Sequence, residues 1–427
     1  MELALFIPLA LGAVGAPATG QLDIKEAVRV ALARAPALEA RRAAEASAEA
    51  QAEAARAAYL PRLSFEASYL ARAPKNELPV DLPSIPGLNF DIGDVDDVHH
   101  VQVGLQAGYR LFDLSRGHRV DAAQDKVQAE GMETAARAAD LAFGVRATFL
   151  AALYARDVRD ITQASLALAQ EEEARAELRV KAGVESDVAL AQAKVRVAGL
   201  AAQARRASLE LERHRAKLAS LMGQDTLPEL VGDLEALGAP SAPMDPAQHP
   251  EVRRLGALQQ AALRVARARQ LDLVPTVTLM GRASLQYPRA LKLELGPVYE
   301  AGATLSWNLF DGLQRESEVD AAEAQAEALA RMSDATRESL ARDLIDLDAR
   351  AKTAEADLAS ADETLEQTQV YLRVARAAVA AGAGTELDVH TAELGTDQAK
   401  VAKKKALFER ALIRAEVLKV YGKGDAS

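Results

Sequence analysis

The polar side chains whose spacing suits chemistry fall in two short glycine-containing stretches. One reads Gly183-Val184-Glu185-Ser186-Asp187-Val188 and the other Gly384-Thr385-Glu386-Leu387-Asp388-Val389. In each, hydroxyl and carboxylate side chains stand just ahead of a run of helix formers. There a side-chain oxygen can accept from the free N–H groups of a first helical turn. His390, beside Asp388, could tune such a turn with pH, and an exposed polar residue at a helix start accounts for it equally well. His99-His100 is the one His pair. With six His and six Met scattered along 427 residues it reads as surface loop rather than metal site. The Glu171-Glu172-Glu173 and Lys403-Lys404-Lys405 runs read as solvated helix faces. There is no HExxH, nucleophile elbow, nucleotide-binding glycine loop or plausible pair of catalytic carboxylates. The expectation is a protein that is not an enzyme, with no cofactor and no metal, and any transport energy comes from a partner.

The elements that must position these turns are long helices. Length alone suggests about three globular domains. The Ala/Glu/Arg/Leu stretches, which run on without turn signals, suggest extended helices instead. With no Cys there are no disulfides or thiolate sites. A net charge of −11 without a concentrated basic patch argues against nucleic acid. No apolar run reaches the ~20 residues of a spanning helix, so a membrane span would have to be built of strands. Residues 1–18 read as a signal peptide: an apolar stretch from Leu3 ends in Ala16-Pro17-Ala18, and the mature chain would begin near Thr19. Only Met1-Glu2 precedes that stretch, with no basic residue, so the true start is expected upstream.

Self-comparison reveals a duplication. Tyr109-Arg110-Leu111-Phe112-Asp113 matches Trp307-Asn308-Leu309-Phe310-Asp311. The two turn stretches match with one residue of slack, and Leu221-Met222-Gly223 matches Val420-Tyr421-Gly422. The first copy spans 19–222 and the second 249–422, with a linker at 223–248 and a tail at 423–427. Each copy reads as a short helix (37–59; 251–273), two strands (63–71 and 101–111; 276–287 and 298–308), a long helix (114–181; 313–380) and a returning helix (188–221; 389–420). The long helices contain no Pro, and at 1.5 Å per residue each would reach about 100 Å, which implies coiled-coil packing.

The strands alternate strictly. Val101, Val103, Leu105, Ala107, Tyr109 and Leu111 are interleaved with Gln102, Gly104, Gln106, Gly108 and Arg110, the sign of a strand with two different faces. The other three behave alike, with Met280 the exception. Strands of this length, dyad pattern and aromatic content fit an outer-membrane barrel. Phe65, Tyr69, Tyr109, Phe112, Tyr287, Tyr299, Trp307 and Phe310 then read as a membrane aromatic belt. A soluble sheet with one wet face shows the same alternation. The other reading is therefore a structural periplasmic coiled-coil protein with a soluble β-subdomain. Four strands cannot close a barrel, and open edges are not tolerated in lipid. Three copies would give 12 strands and four would give 16. The Pro-rich 72–97 segment and the shorter 288–297 segment would be external loops.

With its duplicated unit, Leu60-Pro61 and Val274-Pro275 ahead of the hairpins, Leu111-Phe112-Asp113 and Leu309-Phe310-Asp311 after them, and the two turns, the chain resembles TolC-type outer membrane efflux proteins. The resemblance covers essentially the whole mature chain. It implies a mostly α homotrimer in which a long periplasmic α-barrel continues into a 12-stranded transmembrane β-barrel, four strands per protomer. It implies an export duct in the outer membrane of a Gram-negative bacterium, serving a tripartite efflux pump or type I secretion system. The implied partners are a periplasmic adaptor, an inner-membrane pump and outer-membrane lipid. It implies, too, that the tip is gated and meets the adaptor, through Gly183, Ser186, Asp187, Gly384, Thr385, Glu386 and Asp388. Three departures stand out: Gly384 replaces a gate Arg, Thr391 a constriction Asp, and Val379 a gate Tyr. Asp388 alone would still set one carboxylate per protomer around the axis, a ring that favours cations.

Overall fold

A computed structural model describes residues 20–74, 97–235, 245–289 and 292–422. The expected leader, most of the 72–97 loop and the 423–427 tail lie outside the described residues. The elements run β1 (Gln21–Leu22), α1 (Ile24–Arg34), α2 (Pro36–Arg56), β2 (Arg62–Ala71), β3 (His99–Phe112), α3 (Ser115–Lys181), α4 (Asp187–Leu221), β4 (Glu229–Leu230), α5 (Pro250–Leu271), β5 (Thr276–Tyr287), β6 (Gly296–Ser306), α6 (Gln314–Ala380) and α7 (Glu386–Val420). The chain divides into two compact units, each assembled from both copies of the repeat. One comprises 1–45, 130–254 and 332–427, the other 46–129 and 255–331.

The first unit holds the main core. Val145, Phe149, Leu150 and Leu153 of α3 pack with Val28 and Val30 of α1, Leu211 and Leu218 of α4, and Leu407 and Leu418 of α7. Sequence reasoning missed α1. Asp23 caps it by accepting from the N–H of Glu26 at 2.7 Å, and Ala35-Pro36 ends it, since the residue before Pro is pushed out of the helical region. The segment expected as a linker or equatorial stretch carries a short strand. Glu229 and Leu230 pair in parallel with Gln21 and Leu22, and Arg156 holds the strand from below by donating to the carbonyls of Leu230 and Gly232, both at 3.1 Å. Residues 236–244 of that linker lie outside the described residues. Helix α3 also corrects the hydropathy reading. One window of it is apolar enough to cross a membrane by length and composition, but 56% of that window is buried inside the protein, as befits a helix that supplies the core.

The second unit holds a four-stranded antiparallel sheet in the order β2-β3-β5-β6. Three strand ends differ from the sequence reading by two residues. β3 starts at His99 because His99 and His100 pair with Ala71 and Leu70. β6 begins at Gly296 and stops at Ser306, opposite Thr276, where β5 begins. Trp307 and Asn308 therefore lie beyond the ladder, and the Trp307 indole donates instead to the Leu273 carbonyl at 2.9 Å. Below the sheet, Arg264 of α5 reaches Asp121 and Asp125 of α3 at 2.7 and 2.6 Å. Arg116 stacks 4.1 Å over the Tyr59 ring.

The duplication is tighter than the sequence suggested. α3 and α6 are both 67 residues long, α4 and α7 both 35. From Ser115 to Gln314, and from Asp187 to Glu386, the displacement is 199 residues in each case.

Candidate functional site

Each copy brings its long and returning helices together through a five-residue turn, 182–186 and 381–385. The two share one backbone. Gly183 and Gly382 both have φ of 72°, the left-handed conformation that glycine adopts without a Cβ penalty. The N–H of Val184 bonds the Arg179 carbonyl at 3.0 Å, and that of Ala383 the Ala378 carbonyl at 2.9 Å, so both long helices end in a Schellman motif. The slack in the sequence alignment is thereby corrected. Gly183 corresponds to Gly382, Ser186 to Thr385, and Asp187 to Glu386; Gly384 has no glycine counterpart. A Cβ at Gly384 would lie 3.1 Å from that of Ala378 and 3.2 Å from the Val379 nitrogen, a tight site for any larger residue.

The caps differ. Ser186 accepts a single bond from the Ala189 N–H at 3.3 Å. Thr385 accepts from the Asp388 N–H at 3.2 Å, while the Asp388 carboxylate accepts from the Thr385 N–H at 2.9 Å and its hydroxyl at 2.7 Å, a complete capping box. These bonds, the hydroxyl's first, hold the Asp388 carboxyl below its ordinary value. The box also moves the start of α7 to Glu386, three residues before the expected one, because Glu386, Leu387 and Asp388 form its first turn. Glu386 lies 3.7 Å from Arg179, which also meets Glu185 at 3.1 Å. Asp187 is exposed at the first position of α4.

Sequence reasoning missed the charged cluster just above the turns. Glu393 of α7 is only 5% exposed, yet it accepts from Arg196 of α4 at 2.8 Å and Arg376 of α6 at 2.9 Å. Arg196 also bonds Glu172 of α3 at 2.7 Å and contacts the His390 Nδ1. All four helices thus meet in one ion-pair network. Burial works to raise the Glu393 carboxyl, but the two arginines outweigh it and hold it low. Burial raises the Glu172 carboxyl, Arg196 opposing and the nearby Glu393 charge reinforcing the shift. Glu172, His390 and Glu393 have the donor types and closeness of a metal site, but the Arg196 guanidinium supplies the positive charge among them. A charged residue at the fourth position after Val389, on the inward stripe of α7, is the signal that sequence reading passed over.

In the second unit the sheet has two distinct faces. Ser64, Gln106, Arg282 and Glu300 form one row across all four strands. Within it Arg282 donates to Gln106 at 3.1 Å and lies 3.7 Å from Glu300. The opposite face is apolar and open: Leu63, Phe65, Tyr299 and Leu305 are each more than 60% exposed. Tyr69 and Tyr287 share a row through Val101 near one end of the strands. Their hydroxyls meet His99 Nδ1 at 2.8 Å and Asp97 at 2.7 Å. Tyr109, Phe112, Trp307 and Phe310 gather toward the other end. Phe65 and Tyr299 share the Leu105 row, midway between Val101 and Tyr109 and away from either end of the strands.

An exposed apolar sheet face, a polar opposite face and a paired set of very long helices have the pattern of an outer-membrane channel protein. The chain matches the family described as outer membrane efflux protein over residues 27–224 and 246–422; it belongs to that family and is an export duct of the outer membrane. Solved structures share the fold. The open-state Neisseria gonorrhoeae MtrE outer membrane channel is 19% identical, with a TM-score of 0.77 over 95% of this chain and 90% of that one. The Campylobacter jejuni CmeC outer membrane channel is 16% identical, at 0.76 over 94% and 86%. The Vibrio cholerae outer membrane protein VceC is 18% identical, at 0.72 over 93% and 96%. Comparison with curated protein sequences returned no match. The family membership sets aside the soluble coiled-coil reading.

Proposed function

We propose that three copies of the chain form a passive, water-filled conduit, coupled through a periplasmic adaptor to an energised inner-membrane pump. The observation that carries this reading is the sheet. Its apolar face is exposed, and β2 and β6 each pair on one side only. Lipid offers no hydrogen bonds to such edges. The strands alternate in direction from β2 to β6, so β6 of one copy can continue antiparallel onto β2 of the next. The polar rows then face the lumen. The two turns form the periplasmic tip, where Ser186, Asp187, Thr385, Glu386 and Asp388 meet the adaptor and Asp388 contributes a carboxylate ring. Purified protein should need detergent, size as a trimer and conduct ions in planar lipid bilayers. A stable monomer in surfactant-free buffer, or silent bilayers, overturns the reading. Asp388→Ala should weaken cation preference in single-channel recordings; unchanged preference removes the ring from the proposal.

A further inference from the structure

The duplication gives the second unit two matched junctions where a strand hands over to a long helix. Each long helix has an arginine as its second residue, Arg116 in α3 and Arg315 in α6. The Arg315 side chain is 14% exposed and lies between two carboxylates, Glu316 at 2.8 Å and Asp311 at 3.8 Å. Arg116 has neither. Asp113, the counterpart of Asp311, accepts from the Ser115 N–H and hydroxyl, from the Arg116 backbone N–H and from the Arg110 guanidinium. The counterpart of Glu316 is Gly117. The Arg116 guanidinium donates through one nitrogen to the Ala58 and Arg110 carbonyls, at 3.1 and 3.0 Å, and lies over the Tyr59 ring. Its Nε is buried and donates to nothing. Among the described residues no carboxylate pairs with this guanidinium. Carbonyls and a ring face offset a full charge only in part, and a partly buried cation without counter-charge is costly.

The vacant carboxylate position has defined neighbours. A Cβ at Gly117 would meet only the Tyr59 hydroxyl, at 3.5 Å. One phenol therefore ties the place together, its ring under the Arg116 guanidinium and its hydroxyl beside Gly117. Apolar surface adjoins it. An irregularity between Arg110 and Phe112 brings Phe112 into the row of Val277 and Leu305, on the apolar face of the sheet. Leu60, Phe112 and Leu114 are all exposed. A guanidinium fork suits the oxygens of a phosphate, and a basic site bordering membrane-facing apolar surface suits a phospholipid, which joins phosphate to acyl chains.

We propose that Arg116, Tyr59 and the bare Cα of Gly117 bind the phosphate of an anionic phospholipid in the periplasmic leaflet of the outer membrane, one lipid per copy. The lipid supplies the counter-charge that Glu316 supplies in the second copy, and its chains lie along Phe112 and the apolar face. The site rests on the sheet lying in the membrane with the long helices beneath it, and not on how many copies close the barrel.

The test is native mass spectrometry of the protein from micelles doped with phosphatidylglycerol or with zwitterionic phosphatidylcholine. The parent should retain phosphatidylglycerol in preference. Gly117→Glu gives the first copy the carboxylate of the second and should retain about tenfold less, the loss of one charge-assisted contact. Arg116→Gln should do the same, and Arg315→Gln should retain as much as the parent. Tyr59→Phe keeps the ring, should lose a smaller share, and serves if Arg116→Gln fails to fold. Undiminished retention by Gly117→Glu, an equal loss in Arg315→Gln, or equal retention of the two lipids overturns the site. Inorganic phosphate that binds as tightly without acyl chains overturns the lipid as occupant. Protein that conducts in bilayers but shows no lipid preference sinks this site and leaves the conduit standing. Protein that stays in solution without detergent sinks both.

Discussion

The two helix–helix turns share a backbone and differ in how their caps are completed. Both have five residues, a left-handed glycine and a Schellman end. Only the second has a capping box, and the buried Glu393 lies on the returning helix of the second copy. Duplication here has preserved the path of the chain and left the side chains free to diverge. The first turn is held by its geometry, one long cap bond and the Arg179–Glu185 ion pair, the second by geometry and a complete capping box.

The largest way to break this contrast is Glu393→Ala, which leaves Arg196 and Arg376 facing each other without their shared carboxylate. Loss of one partner from a buried ion pair costs about 3–5 kcal/mol. Denaturation in detergent should show a loss of that order, with faster amide exchange along α7. An effect under about 1 kcal/mol would place the network with ordinary surface pairs. Next come Gly183→Ala and Gly382→Ala. A Cβ at positive φ costs about 1–2 kcal/mol, and the identical φ values call for equal losses; unequal ones would show that the turns do not share strain. Thr385→Ala should then cost about 1 kcal/mol in α7, and Ser186→Ala distinctly less in α4, read as amide exchange at the first turn of each helix. Equal losses would erase the difference between the caps.

The smallest effect is the response to acid, where two carboxyls act with opposite sign. The Asp388 carboxyl is held low by Thr385. Its contribution is present above the ordinary carboxylate value and disappears only as pH falls through the depressed one. The second cap should therefore survive mild acid, tracked by exchange at Asp388 and Val389. The Glu172 carboxyl is raised by burial. Its contribution is full below the ordinary value and declines as pH climbs through the raised one. Glu172→Gln should thus keep stability level across that interval where the parent declines, in thermal scans at stepped pH.

Much of this was legible in the residues. Alternation over 101–111 marks a two-faced strand because the strand period is two, and a 67-residue helix without Pro announces itself. The two-residue strands β1 and β4 have no period to read, and α1 was too short to stand out among Ala-rich neighbours. At the site, the caps were visible as residue types, but the shared Gly-x-Glu-x-Asp-Val pattern aligns Gly183 with Gly384, where the φ angles pair it with Gly382. The charged cluster was hidden for a different reason. It joins residues as far apart as 172 and 393, and an Ala-rich seam gives little rotational phase from which to say that Glu393 points inward.

The equal helix lengths make insertions and deletions in this chain behave in steps. Removing one residue from α3 turns everything beyond it by roughly 100° and draws it back about 1.5 Å, so the first turn would face a new direction while its twin stayed put. Removing seven takes away nearly two whole turns and leaves the facing almost unchanged. Variation in length is thus tolerated in heptad quanta, and a solitary missing residue in one half is more disruptive than many substitutions.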